Sequence, residues 1–145
     1  GNSYRLRIVD KQEVPLRFDN GFYLARWAKP QAKEIFTDWY KKMATAKLAE
    51  RTEHYARSTG IEYRTVKITS ATRRLGSCSP DGTLTFPWRL IMAPLQVIDY
   101  VIVHELVHVE EKNHSQRFWE KVKVIIPDYE SAREWLKNNW HRLKL

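Results

Sequence analysis

The chain has 145 residues, 43% of them hydrophobic and 29% charged, with a formal net charge of +8 and one cysteine. That length suits one domain over residues 1–145 with a core of its own, and the lone Cys78 excludes an intramolecular disulfide framework. No apolar run reaches the ~20 residues of a membrane span and no signal-peptide layout is present, which excludes membrane-spanning and disulfide-stapled secreted classes and makes a cytoplasmic location the expectation. The chain opens Gly1-Asn2 rather than Met, which leaves room for an upstream segment with a signal of its own.

The basic excess is diffuse: 12 basic and 7 acidic groups in residues 1–60, 5 and 4 in residues 61–109, and 8 and 6 in residues 110–145. The longest basic runs are pairs, Lys41-Lys42 and Arg73-Arg74. This reads as solvated faces before it reads as a polynucleotide stripe, so a nucleic-acid partner is an alternative and not the expectation.

In chain order, residues 1–26 read as strands. "YRLRIV" and "EVPLRF" alternate, and Asp19-Asn20-Gly21 supplies turn chemistry before "FYLAR", a pattern that predicts a small antiparallel meander. From Gln31 the period changes, with Ile35, Phe36, Trp39, Tyr40 and Met43 three to four apart, and Gly60 closes a backing helix over residues 31–60, as one helix or two. A core over residues 61–145 follows. "IEYRTVKIT" reads as a strand, and Ser79-Pro80-Asp81-Gly82 turns the chain between "LGSC" and "TLTF".

Pro94 suits the first turn of a helix that runs to residue 109, Ser115 the cap of the next, and Pro127 a break. Asp128 is placed to cap a last helix carrying Ala132, Trp135, Leu136 and Trp140 on an apolar stripe. Strands, a long helix, strands and then helices predict an α+β domain.

The chemistry lies in residues 95–109, where Val97, Ile98, Val101, Ile102, Val103, Leu106 and Val107 make the helix apolar nearly all round. Such a helix is central and buried. At about 100° per residue, His104 and His108 stand only ~40° apart, with Glu105 towards the same side. A carboxylate there is costly to desolvate unless it is paired or near a cation. A divalent metal resolves the cost, because imidazoles one helical turn apart can both reach one zinc ion. Glu105 is then placed to take a proton from the metal-bound water and return one to the leaving amine, the H-E-x-x-H arrangement.

A catalytic zinc usually has three protein ligands, so one more is required. His114 is the expected third, with Asn113 as a left-handed turn residue between, and Glu110, Glu111 and Glu134 are the runners-up. A structural zinc would be closed by four ligands, commonly cysteines, and Cys78 stands in no C-x-x-C pair, which favours an open site.

The stretch "RRLGSCSPDGTLTFPWRLIMAPLQVIDYVIVHELVHVEEKNHSQRFWEKVKVIIPDYESAREWLK" resembles the YgjP-like metallopeptidase domain family of the zincin superfamily, itself similar to SprT-like proteases, some of which degrade proteins attached to DNA. The resemblance is close over residues 73–137 and looser upstream. It implies zinc on His104, His108 and His114, Glu105 as general base, a small twisted sheet, and two short helices after the metal helix. Leu75 departs from the family's usual Trp, which bears on packing beside the turn.

By analogy with zincins, the strand beside the metal helix would pair with extended substrate, and Thr83, Leu84, Thr85 and Phe86 are the candidate edge strand. Arg73 is a further candidate substrate contact. Tyr129, Arg73 and His141 are unranked donors to the oxyanion. Cys78 reads as a buried strand residue rather than a nucleophile, and Trp88, Phe118, Trp119, Trp135 and Trp140 as packing residues. The expected activity is zinc-dependent hydrolysis of a peptide or protein substrate. The alternatives are a DNA-associated protease or binding module, and a metal-binding interaction domain without catalysis.

Overall fold

The computed structural model describes residues 4–143; the expected domain bounds also take in residues 1–3 and 144–145, which lie outside the described residues. Near the N-terminus, Leu6–Val9 (β1), Leu16–Phe18 (β2) and Phe22–Ala25 (β3) form a sheet in the order β1-β3-β2. β2 and β3 are the expected hairpin around Asp19-Asn20-Gly21, with Asn20 left-handed at φ 52°. The expected meander is nevertheless corrected, because β1 runs parallel to β3, pairing Leu6 with Phe22 through to Val9 with Ala25. β3 is the strand whose Phe22, Leu24 and Ala25 are all buried, so it takes the centre, and Gln12 ties the crossing segment by donating to the carbonyls of Val14 and Tyr23 at 2.9 and 2.8 Å.

A 3-10 stretch, Arg26–Gln31, leads into one unbroken helix, Ala32–Thr59 (α1). Phe22 packs edge-on against Phe36 and Trp39, with ring centroids 5.0 and 4.9 Å apart, and so docks the first sheet on the start of α1. Further along, Ala44, Leu48, Thr52 and Ala56 are buried at every fourth position, a stripe that turns one face of α1 inward. Gly60 ends the helix at φ 76°, its N–H donating to the Ala56 carbonyl at 2.8 Å. That left-handed cap carries no Cβ penalty.

Thr65–Thr69 (β4), Ser77–Cys78 (β5) and Thr83–Pro87 (β6) make a second sheet in the order β4-β6-β5. The β5–β6 hairpin turns at Ser79-Pro80-Asp81-Gly82, where Gly82 has φ 87° and the Ser79 hydroxyl bonds the Asp81 carboxylate. The expectation that Thr83, Leu84, Thr85 and Phe86 form an edge strand is corrected: β6 is central, parallel to β4 on one side and antiparallel to β5 on the other. Leu84 and Phe86 are fully buried, so this is the most apolar strand of the three and the sheet covers both its flanks.

The helices Leu95–Val107 (α2), Gln116–Ile125 (α3) and Tyr129–Asn139 (α4) complete the fold. Pro94 stands just before α2, which ends at Val107, two residues short of the expected end, with His108 as its C-terminal cap. α2 is buried on nearly every side, and its Ile102, Val103, Leu106 and Val107 are wholly enclosed with Leu48, Phe86, Phe118 and Val122. Asp128 occupies the cap position of α4, but its carboxylate makes no capping bond; the Ser131 N–H uses the Asp128 backbone carbonyl instead. No described helix is long and apolar enough to cross a membrane.

One polar contact locks α1 to α2. Arg51 donates from Nε and Nη2 to the two oxygens of Asp99 at 2.9 and 2.7 Å, and the Tyr55 hydroxyl donates to Oδ2 at 2.9 Å. The side chains of Arg51 and Asp99 are 20% and 10% exposed, so removing one partner strands a charge. Asp99→Ala should therefore cost about 3 kcal/mol of unfolding free energy. Urea titration of the two proteins checks this, and Arg51→Met combined with Asp99→Leu should recover much of the loss.

Candidate metal centre

α2 sets His104 in its last turn and His108 at its cap, with ring centroids 4.8 Å apart. The chain then leaves the helix and comes back to present His114 directly before α3. Its Nε2 lies 2.9 Å from His108 Nε2 and 3.1 Å from His104 Nε2. Among the described residues, these three form the one group of metal-ligating side chains, with all ligand atoms within 4.8 Å of one another.

The reversal does not use Asn113, since Asn20 is the one described non-glycine residue with positive φ. It is built from helix-end turns, in which the N–H groups of Glu110 and Glu111 both donate to the Val107 carbonyl, and from the His108 ring, whose Nδ1–H donates to the Glu111 carbonyl at 2.9 Å. Lys121 and Arg117 of α3 grip the Glu111 carboxylate at 2.9 and 3.0 Å, and Lys121 reaches Glu110 at 3.4 Å. The Lys121 hydrogen bond, above all, holds the Glu111 carboxyl below the usual carboxylate range. Glu110 and Glu111 are thus tied to cations, and Glu134 to Asn138 at 3.4 Å, outside the histidine group.

Ser115 caps α3 as expected, accepting from the Phe118 N–H at 3.4 Å. The cap fixes where Phe118 points. Its ring stacks on His108 with centroids 4.4 Å apart and meets His114 and His104 at 5.0 and 5.1 Å, so one buried aromatic touches all three imidazoles.

The donor set fits a cation. With the His108 Nδ1 proton on the Glu111 carbonyl and the His104 Nδ1 proton on Glu105 Oε2, 2.9 Å away, both Nε2 atoms carry lone pairs. Three ring nitrogens then converge with at most one proton, on His114, to share among them. Two nitrogens bound tetrahedrally to one ion at ~2.0–2.1 Å would stand roughly 3.3 Å apart, close to the spacings present. Burial, followed by the neighbouring His104 and His108 rings, holds His114 below the usual imidazole range, which favours the neutral ring. A neutral ring is the form that binds metal.

Glu105 is 5% exposed. Oε2 accepts from His104, while Oε1 has no hydrogen-bond partner among the described residues. Space for the carboxylate comes from Gly76: a Cβ there would stand 3.0 Å from Glu105 Cγ and 3.3 Å from Oε2. Cys78, two residues on, is half-buried with its thiol pushed up by burial, in keeping with a strand residue and not a nucleophile. Leu75 packs against the core beside the turn.

Of the expected oxyanion donors, Tyr129 lies in the wall of the site, whereas Arg73 and His141 are exposed and make no hydrogen bond, ion pair or ring contact with the histidines. The wall itself escaped the sequence reading. His114 stacks on Trp119, Trp119 on Tyr129, and Tyr129 on Tyr100, at 5.8, 5.3 and 6.4 Å, and Tyr100 returns to His104 at 6.0 Å. Burial is the main cause that pushes the Tyr100 phenol up to about 12, which keeps it a hydrogen-bond donor at neutral pH. Helical spacing held the signal, with Tyr100 four residues before His104 and Arg133 four after Tyr129.

The family model of the YgjP-like metallopeptidase domain matches residues 1–139. The structure is similar to the crystal structure of the metallopeptidase zymogen abylysin from Pyrococcus abyssi, with a TM-score of 0.57 and 20% identity over 63% of this chain and 94% of that one. It is also similar to the metallopeptidase zymogen jannalysin from Methanocaldococcus jannaschii, with a TM-score of 0.54 and 22% identity over 63% of this chain and 92% of that one. These two likenesses establish a shared fold. A comparison with curated proteins finds no match.

Gly76→Ala should displace the Glu105 carboxylate without touching any of the three histidines. Metal content should stay at the wild-type level while kcat/KM falls by about tenfold to a hundredfold. Elemental analysis and peptide kinetics on the same preparation check both halves.

Proposed function

The chain belongs to the YgjP-like metallopeptidase family and is a metallopeptidase; we propose that His104, His108 and His114 hold a zinc ion and that Glu105 is its general base. The observation that carries the ligand assignment is the convergence of three Nε2 atoms from two separate segments, 2.9 and 3.1 Å apart, over the single ring of Phe118. Zinc suits three neutral nitrogen donors with one position left over. When bound, the ion supplies Lewis acidity towards the scissile carbonyl and acidifies water.

The chain's own groups do the rest. Glu105 Oε1, unpartnered beside the histidines, takes a proton from the attacking water and later delivers one to the departing amine, while His104 Nδ1–H holds Oε2 and so fixes the direction of Oε1. Burying this carboxylate is tolerable because the His104 ring, and a cation when bound, offset the desolvation. Tyr100 and Tyr129 stand on the flank where a phenol could donate to the developing oxyanion. With β6 enclosed on both sides, backbone pairing with substrate would fall to a true edge, and β5, which packs beside α2, is that edge. Arg73, exposed on the connection into β5, remains a candidate contact there. A lone cysteine suits a reducing compartment such as the cytoplasm.

Purified protein should carry one zinc per chain. Digestion of a peptide library should stop on chelation and resume with added zinc. Glu105→Gln should keep the metal yet lose cleavage by about a thousandfold or more; undiminished turnover would refute the base assignment. His114→Ala should weaken zinc binding by more than about a hundredfold, read by competition with a chelating dye. If metal binds and no peptide is cut by either protein, the non-catalytic alternative replaces this reading.

A further inference from the structure

Beside the histidine group lies a cavity of about 370 Å³ between α3 and α4, lined by Gln116, Trp119, Glu120, Lys123, Tyr129 and Arg133. It adjoins the centre, because the indole of Trp119 that forms its wall stacks on the ring of His114 with 22° between the planes. The Arg133 guanidinium sits over that indole, its carbon 4.6 Å from the ring centroid. Arg133 and Lys123 have no acidic partner within ion-pair distance among the described residues, unlike Arg51, Arg117 and Lys121. The one carboxylate in the lining, Glu120, already accepts from the Gln116 amide at 3.1 Å.

We infer that this cavity is a substrate subsite for a carboxylate, with Arg133 as its anchor and Trp119 as the plane that orients Arg133. The inference rests on the proposed peptidase reading and adds to it the class of residue recognised. A guanidinium held over an indole, with no other partner for its N–H groups among the described residues, can grip a carboxylate by two parallel hydrogen bonds. The stack also limits the rotamer freedom that Arg133 would lose on binding. Because Trp119 also stacks on His114, an anion bound at Arg133 lies beside the indole that walls the histidine group. Such an anion has two sources: an Asp or Glu side chain near the scissile bond, or the carboxylate at the end of a peptide.

The test uses the zinc-loaded full chain and two matched peptide series. One exchanges Glu for Gln at each of the three positions on either side of the cleaved bond. The other exchanges a free C-terminal acid for its amide. The acidic member of one series should be preferred by about tenfold or more in kcat/KM, and that ratio should collapse towards one in Arg133→Gln; Arg133→Glu should favour Lys at the same position. Which series responds identifies the source. A wild-type ratio near one in both series, or a ratio that survives Arg133→Gln, overturns the inference while leaving peptidase activity intact. If no peptide is cleaved, the peptidase reading fails by itself, and calorimetric titration with the same peptides decides the subsite: tighter binding of the acid that vanishes in Arg133→Gln upholds it, and equal affinities refute it.

Discussion

Two imidazoles and a carboxylate on a helix that is otherwise hydrocarbon are the constraint to which the rest of the structure answers. α2 sits inside the core, with Val103, Leu106 and Val107 at zero exposure, yet it carries His104 and Glu105 among them and His108 at its cap. Burying such groups is tolerable only if each finds a partner. Two partners are internal, the Glu105 carboxylate for His104 and the Glu111 carbonyl for His108, and both use Nδ1. What remains unsatisfied is the convergent set of Nε2 lone pairs, a requirement that a cation meets.

The surrounding elements hold that set in place from several directions. Arg51 and Asp99 fix the N-terminal half of α2 against α1. Lys121 and Arg117 pin the reversal after α2 to α3 through Glu111, and the Ser115 cap aims Phe118 beneath all three rings. From the sheet side, Gly76 admits the Glu105 side chain against Phe86. The histidine group is therefore held by elements whose own side chains are tied by ion pairs, a cap and packing, the condition under which a site keeps one geometry.

Much of this was legible before any coordinates, because it depends on local spacing. His104 and His108 one turn apart, the Gly60 cap, the hairpin at Ser79-Pro80-Asp81-Gly82 and the Ser115 cap are all decided within four residues of chain. What escaped depends on distant partners. The parallel pairing of β1 with β3 and the central place of β6 follow from which strands are buried on both faces, and alternation within one strand does not specify that. The Arg51–Asp99 pair joins residues 48 apart, and the ring wall joins Tyr100, Trp119 and Tyr129 from three helices. Asn113 was a reasonable turn residue, but the His108 bond to the Glu111 carbonyl closes the reversal without a left-handed position.

The wall and the sheet give the centre two unlike flanks. One is aromatic and cationic, running from His104 through Tyr100, Tyr129 and Trp119 to Arg133. The other is backbone, at the short strand β5. An extended peptide laid between them would meet hydrogen-bonding groups on one side and side-chain selection on the other. All of it depends on the ion's position. Diffraction from crystals of the zinc-loaded chain, recorded on both sides of the zinc absorption edge, tests that most directly. The account predicts a single anomalous peak about 2.0–2.1 Å from Nε2 of His104, His108 and His114; a peak bound by only two of these rings, or lying elsewhere on the chain, would contradict it.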